Sequence, residues 1–582
     1  MAFFQSRLIS SLEKVFCRQK LEANTIANLT AGRGENISFQ IACRAEENIW
    51  VDFEIESELL PYLKVYEVGL VPCELPAMPD DPHVLSCEPG LYPDPLYPRE
   101  KSFKISRRHW HALWISINIP EDLPAGRYPT IFHFHNHAAA SEKDYGFFSD
   151  TQCLFLEVLP FELPEQLLIC TNWFYADCIF TYYRIPCWSE KNWYLMGKYF
   201  QNMAEHGINM LLTPLWTVPL DTAVGHERPT AQLLDIELEN GRYRFNFDRL
   251  RRWINLASES GIKYFEMSHA FSQWGAVFTP KIIVRENGED KKKFGWHVSS
   301  DSPEYKDFLQ QLMPQLLDFL RSMNLSGYCY FHVSDEPTEI SLESYRNAAE
   351  LLYSLTDDFP IIDALSDLSF FKRGIVKYPI PNTEHIDEFM PEDIKQRWVY
   401  YCGGYRQVPN RQFGMPSARN RIMGLILYLY NLDGFLNWGY NFWYTQYSLK
   451  QDIDPFKVTD AGRAFCGGGS FMVYPGEDGP VNSLHYEVFR DGLQDLRALR
   501  LLESHIGRNA VIALIHDKLD YQITIKNYPR DNSWLLDLRQ TVNSRIVTST
   551  SDKTATKTIF HRSSVLAAAK RLPIVEHQVA IL

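Results

Sequence analysis

The sequence predicts a multidomain β + α/β protein, with an N-terminal β-sandwich followed by a (β/α)8 TIM-type barrel and a C-terminal extension. Short apolar segments separated by Gly and Pro dominate the first 160 residues, a pattern typical of a sandwich. From about residue 165, apolar segments alternate with helical ones, which favours parallel strands. The chain of 582 residues also exceeds what one hydrophobic core usually organises. We therefore expect domains at residues 1–160, 161–465 and 466–582.

The barrel prediction depends on counting strands. Eight candidates are present, at residues 168–174, 208–214, 262–268, 327–334, 360–365, 375–380, 397–402 and 434–439. Helical segments fill most gaps, at residues 193–206, 247–260, 302–323, 341–355 and 419–431. A doubly wound open sheet is the main competitor, but no Gly-rich dinucleotide turn follows the first strand.

After the barrel, Leu493, Leu496, Leu499 and Leu502 are spaced for one buried helical stripe. The segment 548–557 is rich in Ser, Thr and Lys, which predicts a loop. No motif in residues 510–582 indicates a role for that part of the chain.

Composition excludes several classes of partner and location. The net charge of -14 argues against nucleic acid and anionic membranes, since both require a basic surface. Eleven scattered Cys without a CxxC pair indicate free thiols and a reducing compartment. The N-terminus does not resemble a signal peptide, and no apolar run approaches the ~20 residues of a membrane span. We expect a cytoplasmic protein, with homo-oligomerisation left open.

The most informative stretch is Phe331–Pro337, FHVSDEP, which ends an apolar strand with two adjacent carboxylates, Asp335 and Glu336. Groups at the carboxyl ends of barrel strands usually carry the chemistry. Helix capping would also explain one isolated acid. A metal site could recruit His332 and His269, but the spacing matches no metal motif. We expect no metal and no cofactor.

Glycoside hydrolysis is the third interpretation of this pair. Most glycosidases use two acids on opposite faces of the sugar, an arrangement that sequence neighbours can hardly adopt. Adjacent acids suit a substrate-assisted reaction instead. The substrate's 2-acetamido oxygen attacks, one acid orients the amide, and the other protonates the leaving group.

The sequence also resembles glycoside hydrolase family 123. The similar segments are GRGENISFQ from Gly32, LYPDPL from Leu91, LPAGRYP from Leu123, FHVSDEP from Phe331, GFLNWGYNFW from Gly434 and FMVYPGEDGPVNSLHYEVFRDGLQD from Phe471. The resemblance spans residues 30–505 and implies a sandwich followed by a barrel. It further implies an exo-acting, retaining β-N-acetylgalactosaminidase that works through an oxazoline intermediate. Because no signal peptide is recognised at the N-terminus, we expect the substrate to be a small imported oligosaccharide.

The resemblance also implies roles for individual residues. Asp335 would orient the acetamide, and Glu336 would act as general acid and then as base. His332, four residues before Glu336, would contact substrate or tune the acids, although a buried strand histidine is an equal alternative. The remaining residues expected to bind substrate lie at predicted strand ends; they are Asn172, Trp216, His269, Tyr401, Tyr405, Trp438, Tyr440 and Trp443.

Two alternatives stay open at this point. One is a related hydrolase with a different sugar preference, and the other is a non-catalytic carbohydrate-binding protein of the same fold. Retention of both acids argues against the second.

Overall fold

The computed structural model describes residues 4–137, 148–402 and 406–569, with side chains up to residue 550. The first part is built from ten strands: β1 Phe4–Ser10, β2 Asn28–Arg33, β3 Asn36–Ala45, β4 Ile49–Glu56, β5 Leu63–Cys73, β6 Gly90–Pro98, β7 Ser102–Ile105, β8 Trp110–Asn118, β9 Gly126–Asn136 and β10 Ser149–Glu162. They form two sheets, with strand orders β1-β3-β8-β5-β6 and β2-β10-β9-β4-β7.

The two sheets pack face to face. Alternate side chains of both sheets enter one apolar core, as expected for strands with one buried face. Phe39 of β3 meets Phe132 of β9 edge to face, with ring centroids 6.0 Å apart. This is the arrangement of a β-sandwich, and we call residues 4–162 the sandwich domain.

An α/β domain follows. Its strands are β11 Ile169–Asn172, β12 Met210–Thr213, β13 Asp235–Glu239, β14 Arg242–Asn246, β15 Tyr264–Met267, β16 Ile282–Glu286, β17 Glu289–Phe294, β18 Cys329–Tyr330, β19 Ile362–Ala364, β20 Tyr378–Ile380, β21 Trp398–Tyr401, β22 Gly434–Asn437, β23 Val473–Gly476 and β24 Gly479–Asn482. All eight strands predicted for this region form. β12, β21 and β22 are buried at every position, as is usual for parallel strands covered on both faces.

The eight strands pair in parallel. Six form one sheet in the order β18-β15-β12-β11-β22-β21, and β19 pairs with β20. Isolated parallel bridges join Phe331 to Ile361 and Asn382 to Tyr400. These bridges place the β19–β20 pair between β18 and β21, so the carboxyl ends of all eight strands face the same side.

The helices of the described chain are Ala176–Tyr183, Glu190–Glu205, Asp248–Glu259, Pro303–Ser322, Leu342–Leu355, Leu368–Lys372, Ile386–Phe389, Ala418–Arg421, Met423–Leu429, Leu484–Ile506, Arg508–His516 and Asn532–Ala569, with 3-10 turns at Leu60–Tyr62, Glu339–Ser341 and Gln446–Ser448. Their ends follow local chemistry. Ser302 caps the Pro303–Ser322 helix by accepting from the Tyr305 N–H, and Pro303 occupies the first turn.

A four-stranded sheet in the order β14-β13-β16-β17 was not predicted. It consists of two antiparallel hairpins. Asn240-Gly241 and Asn287-Gly288 form their turns, all four with positive φ. Asn-Gly between alternating residues is a strong hairpin signal, so the sequence contained this information.

The Leu484–Ile506 helix joins the sandwich domain to the α/β domain. A Cβ on Gly424 would lie 1.8 Å from the Gly492 carbonyl oxygen, so two glycines allow the helix backbones to approach. Beside this contact, Asp495 accepts from Arg421 at 2.7 Å and from Arg539 at 2.9 Å. The other end of the Arg539 guanidinium reaches Glu35 of the sandwich domain at 2.7 Å.

The prediction of a loop at residues 548–557 is wrong, because the helix Asn532–Ala569 includes these residues. Three hydroxyls in this segment bond back to carbonyls of the preceding turn, from Thr548 to Ser544, Ser549 to Arg545 and Thr550 to Ile546. Ser and Thr can satisfy their hydroxyls this way inside a helix. Within the described residues, no helix combines the length and apolar character needed to cross a bilayer.

Candidate active site

A cavity of about 240 Å³ lies at the carboxyl ends of the parallel strands. Its lining includes three carboxylates and a ring of aromatic side chains. The lining residues are Trp173, Tyr175, Leu220, Asp221, Gln273, Trp274, Asp335, Glu336, Ala364, Tyr400, Cys402, Leu436, Trp438, Gln446, Tyr447 and Phe465. Aromatic walls with a few polar groups are typical of ligand sites.

Asp335 and Glu336 follow β18 and face this cavity together. In an extended strand, neighbouring side chains point to opposite faces. Glu336 has a φ of 43°, and this left-handed conformation breaks the alternation so that both carboxyls line one cavity. The Glu336 N–H donates to the Ala364 carbonyl at 2.9 Å, which holds the turn. The Tyr400 hydroxyl hydrogen-bonds the Glu336 carboxylate.

The two acids are half-buried and line the cavity side by side. Burial, followed by the neighbouring Glu336 carboxylate, raises the pKa of Asp335 well above its ordinary value. The charge of His332 acts in the opposite direction. Because two close carboxylates resist being ionised together, the pair retains a proton at a pH where an isolated carboxyl would lose it.

Asp221 is the third carboxylate of the cavity. Burial raises its pKa to about 6, and the hydrogen bond from the Tyr447 N–H, 3.0 Å from Oδ2, opposes the shift. The Gln273 side-chain amide accepts a hydrogen bond from the Asp221 N–H and donates one to the Thr222 carbonyl. These bonds fix one oxygen of Asp221 while the side chain faces the cavity.

A second layer of ionisable residues lies beneath the cavity floor, and we call Glu266, His269, His332 and Asp363 the buried layer. Burial, together with the neighbouring His332, lowers the pKa of His269 well below its ordinary value, so this ring is neutral. Each of the four side chains is completely or almost completely buried. His332 Nε2 lies 2.8 Å from Glu266 and Nδ1 lies 3.5 Å from Asp363. Burial alone would lower the pKa of His332, but the two carboxylates outweigh it and raise the pKa to about 9.

The remaining bonds of the buried layer are also internal. Glu266 accepts from the Trp173 indole at 3.0 Å and from the Thr171 hydroxyl. Asp363 accepts from the Tyr345 hydroxyl and from the Val333 N–H at 3.0 Å. Both carboxylates of the buried layer therefore have hydrogen-bond donors inside the protein.

His269, His332 and Asp363 each bring one ligand atom within 4.8 Å of the others, which raises the question of a metal ion. The two imidazole rings stack with centroids 4.3 Å apart at 19°. A nitrogen lone pair lies in the plane of its ring, so stacked rings direct their lone pairs side by side rather than toward one ion. His332 also lies between two carboxylates as a cation. This geometry does not fit a metal site.

The structure brings three of the predicted site residues together, Asp335, Glu336 and Trp438. His332 and His269 lie in the buried layer below them. The other predicted side chains are buried outside the cavity lining; they are Asn172, Trp216, Tyr401, Tyr440 and Trp443. Tyr405 lies outside the described residues.

Specific partners explain why four of these side chains lie elsewhere. The Trp216 indole donates to the His269 carbonyl at 2.9 Å, and the Trp443 indole donates to the Val473 carbonyl at 3.1 Å. The Tyr440 hydroxyl bonds Asn202 at 2.8 Å. The Tyr401 hydroxyl accepts from the Arg411 N–H at 3.3 Å.

Several cavity residues were not among the residues expected to bind substrate. Trp173 and Tyr400 belong to the strand ends expected at the rim of the barrel, but their neighbours Asn172 and Tyr401 were chosen instead. Asp221, Trp274 and Tyr447 come from connecting segments without periodicity. A larger cavity of about 470 Å³ lies at the opposite, amino ends of the strands against the sandwich domain.

Comparisons with known proteins bear on the domain that carries this cavity. The sequence profile described as "Glycoside hydrolase 123, catalytic domain" matches residues 173–502, more than half of the chain. A solved structure of a family 123 glycoside hydrolase from Clostridium perfringens, studied for glycolipid glycan hydrolysis, superposes with a TM-score of 0.68. It shares 15% identity, and the alignment covers 98% of this chain and 100% of the other.

Other structural likenesses are confined to a fraction of the chain. The ASH/PapD-like domain of human CEP192 aligns at 10% identity and a TM-score of 0.14, over 27% of this chain and 85% of that domain. Likenesses of this size carry no argument about the fold. A comparison with curated protein sequences finds no match. The profile match across the cavity-bearing domain nevertheless settles the family, and the chain belongs to glycoside hydrolase family 123.

Proposed function

We propose that this glycoside hydrolase is an exo-acting, retaining β-N-acetylgalactosaminidase that uses the substrate's own acetamide as nucleophile. The observation that carries the proposal is the placement of Asp335 and Glu336, adjacent in sequence, in one small cavity. Consecutive Cα atoms are only about 3.8 Å apart. Two such acids act from one side of a sugar ring, which leaves the opposite face to a nucleophile that the protein does not supply.

The proposed reaction has two steps. Asp335 accepts a hydrogen bond from the acetamide N–H while the acetamide oxygen attacks C1 and the bond from C1 to the glycosidic oxygen breaks. Glu336 gives its proton to that departing oxygen. In the second step Glu336, now a carboxylate, takes a proton from water as the water oxygen attacks C1 and the oxazoline opens. Two inversions at C1 give net retention.

In the free site, burial and the neighbouring Glu336 carboxylate raise the pKa of Asp335, which favours a proton on Asp335. The pair retains one proton because its members are close and poorly solvated. An acetamide N–H donated to Asp335 stabilises the ionised form of Asp335, which leaves the proton on Glu336. Binding of the N-acetyl group therefore prepares the general acid, and the hydroxyl of Tyr400 keeps the Glu336 carboxyl in place.

We also propose that the α/β domain is a (β/α)8 barrel. The eight parallel strands and the two bridges that link β18 to β19 and β20 to β21 support closure. The cavity then occupies the end of the barrel that carries active sites in this fold. Its volume of about 240 Å³ is below the ~300 Å³ at which sites for drug-sized ligands begin, and it suits one terminal sugar.

The location and partners follow as further proposals. All eleven cysteines are free thiols, which favours a reducing, cytoplasmic compartment. In that compartment the substrate is a small oligosaccharide or glycoside.

The test is hydrolysis of four p-nitrophenyl β-glycosides, those of N-acetylgalactosamine, N-acetylglucosamine, galactose and glucose. We expect the first to have the highest kcat/KM and the two sugars without an acetamide to be inert. NMR of the early product should show the β-anomer. Rapid turnover of the galactoside would overturn the substrate-assisted mechanism, and preference for the N-acetylglucosaminide would overturn the specificity.

A further inference from the structure

We propose that the larger cavity, between the sandwich domain and the amino ends of the parallel strands, is a second carbohydrate site that binds one uncharged sugar ring. We call it the interdomain cavity. Its volume of about 470 Å³ falls within the range of roughly 300–1,000 Å³ that small-molecule sites occupy. Asp335 and Glu336 lie at the opposite, carboxyl ends of the strands, so the proposed site is separate from the catalytic one.

One wall of the interdomain cavity is the outer face of a sandwich sheet. Tyr62 precedes β5, and Lys64 and Tyr66 follow on that strand at two-residue intervals. Val65, between them, packs into the sandwich core, so its neighbours point the other way, toward the α/β domain. Asn118 comes from β8, the strand that pairs with β5. Tyr62, Lys64, Tyr66 and Asn118 all line the cavity.

The side chains of this wall are available to a ligand. Within the described residues, the structure shows no hydrogen bond or ion pair to any of the four. Tyr62 is 38% exposed, and Lys64 and Asn118 are also exposed. Burial, followed by the Glu487 carboxylate, raises the pKa of Tyr66 to about 12, so its hydroxyl keeps the proton that it can donate. The wall therefore offers two phenol rings, one ammonium and one amide.

The floor of the interdomain cavity is a closed hydrogen-bond network. The Glu487 carboxylate accepts from the Asn482 amide at 2.7 Å and lies 3.0 Å from His206 Nε2. The Arg490 guanidinium donates to Glu487 and, at 2.6 Å, to the Asn36 side chain of the sandwich domain. These bonds join the two domains across the cavity floor. The cavity is therefore held open by groups that already have partners, and the free groups are those of the sandwich wall.

The charges of the lining nearly balance, which disfavours an ionic ligand. Four Lys or Arg side chains and three Glu side chains line the cavity. Lys263 is paired with Glu165, and Arg490 with Glu487. An anion such as phosphate is usually bound by several converging cations, whereas Lys64 is the one lining ammonium that has no such partner within the described residues.

The remaining chemistry of the lining suits a sugar. Ala204 and Leu493 are its only aliphatic side chains among the described residues, too few for an apolar ligand. A sugar ring has an apolar C–H face that packs on a phenol ring, and hydroxyls that both donate and accept hydrogen bonds. Lys64 can donate to such hydroxyls, and the Asn118 amide can do both. The two tyrosines and the polar groups between them therefore match an uncharged, hydroxyl-rich ring.

The experiment titrates the full-length protein with methyl β-galactoside, methyl β-glucoside and methyl α-mannoside by isothermal titration calorimetry. We expect at least one of them to bind with a Kd of roughly 1 mM. Tyr62→Ala and Lys64→Ala, at exposed positions, should each raise that Kd by about tenfold, whereas Tyr62→Phe should retain most of the affinity. Tyr328→Ala removes a 45% exposed Tyr outside the cavity lining and is the matched control. Trp438→Ala, which alters the catalytic cavity, should leave the Kd unchanged.

Three outcomes would overturn the inference. Loss of binding in Trp438→Ala but not in Tyr62→Ala would place the sugar in the catalytic cavity. Binding of methyl β-glucuronide or inorganic phosphate, but of no neutral glycoside, would assign the interdomain cavity to an anion. The absence of saturable binding of any neutral glycoside up to about 50 mM would show that no sugar is recognised there. None of the three neutral glycosides carries an acetamide, so failure of the proposed hydrolysis would be a separate result.

Discussion

The cavity wall and the buried layer are neighbouring regions that both contain ionisable side chains, but their charges are compensated differently. His332 and Asp335 are three residues apart in the same segment. His332 is enclosed by Glu266 and Asp363, whereas Asp335 and Glu336 are half-buried and face an open cavity. In the buried layer each charge has an internal counterion. At the cavity wall the carboxylates repel each other.

Whether a charge has a buried counterion therefore distinguishes structural residues from catalytic ones better than the residue type does. A paired buried charge stabilises its neighbours and is costly to remove. A carboxyl that has a raised pKa and a like-charged neighbour, and that faces a cavity, is destabilised in its ionised form. A ligand that donates a hydrogen bond to it can reduce this destabilisation. Variants of the two regions should therefore separate loss of activity from loss of stability.

The largest expected effect belongs to Glu336→Gln. Without a proton donor, kcat on methyl β-N-acetylgalactosaminide should fall by about a thousandfold. The loss on an aryl glycoside should be smaller because a good leaving group needs less protonation. The free energy of unfolding should not decrease. Glu343→Gln, at an exposed acid on the following helix, is the control. Loss below tenfold on the methyl glycoside would contradict the assignment.

His332→Gln should instead destabilise the protein. Removing the cation leaves Glu266 and Asp363 buried without a counterion, at a cost of about 3–5 kcal/mol. Urea unfolding followed by far-UV circular dichroism measures this loss. His385→Gln, which breaks a half-exposed pair with Glu388, should cost less than about 1 kcal/mol. An equal loss of unfolding free energy in the two variants would show that the pairing of His332 with Glu266 and Asp363 does not stabilise the buried layer.

The charge of His332 should also appear in the pH dependence of stability. Its pKa is about 9 in the folded protein against 6.5 when unperturbed. The folded state therefore binds the proton more tightly. The contribution is complete below pH 6.5 and is lost as the pH rises through 9. Relative to His332→Gln, wild-type stability should fall on the order of 3 kcal/mol over this range. NMR titration of the histidine provides a second measurement, and a midpoint below 7 would refute the pairing.

The smallest effect is expected from Tyr400→Phe. Losing the hydroxyl that bonds Glu336 should lower kcat by about tenfold, the value of one hydrogen bond to a charged group. Tyr401→Phe should cost less, because that hydroxyl bonds the Arg411 backbone instead. A larger loss of kcat for Tyr401→Phe than for Tyr400→Phe would show that Tyr401, and not Tyr400, contacts the acids.

The sequence allowed the strands and the acidic pair to be located, since both depend on local patterns. FHVSDEP ends an apolar strand with two charges, and the position of those charges at a strand's carboxyl end follows directly. The register of side chains was harder. Trp398, Val399, Tyr400 and Tyr401 are all buried, so no alternation of polar and apolar residues showed which tyrosine faces the acids.

The remaining cavity residues depend on contacts between distant segments. Asp221, Trp274 and Tyr447 come from three connections, and their left-handed conformations have no signature in residues of these types. By contrast, the Asn-Gly hairpins of the inserted sheet had a clear local signal. The sequence therefore did not reveal which residues of distant connecting segments meet at the cavity.

The contact of Arg539 with Glu35 and Asp495 bears on how the protein is made. During synthesis the sandwich domain has all its strands once residue 162 has emerged, and domains of this kind fold as units from the N-terminus. Strand β11 cannot complete its pairing until β22, its partner at residues 434–437, has been synthesised. The cation that joins the two folded parts emerges still later. Until residue 539 has emerged, Glu35 and Asp495 lack this shared counterion, so this link between the two parts forms late in synthesis.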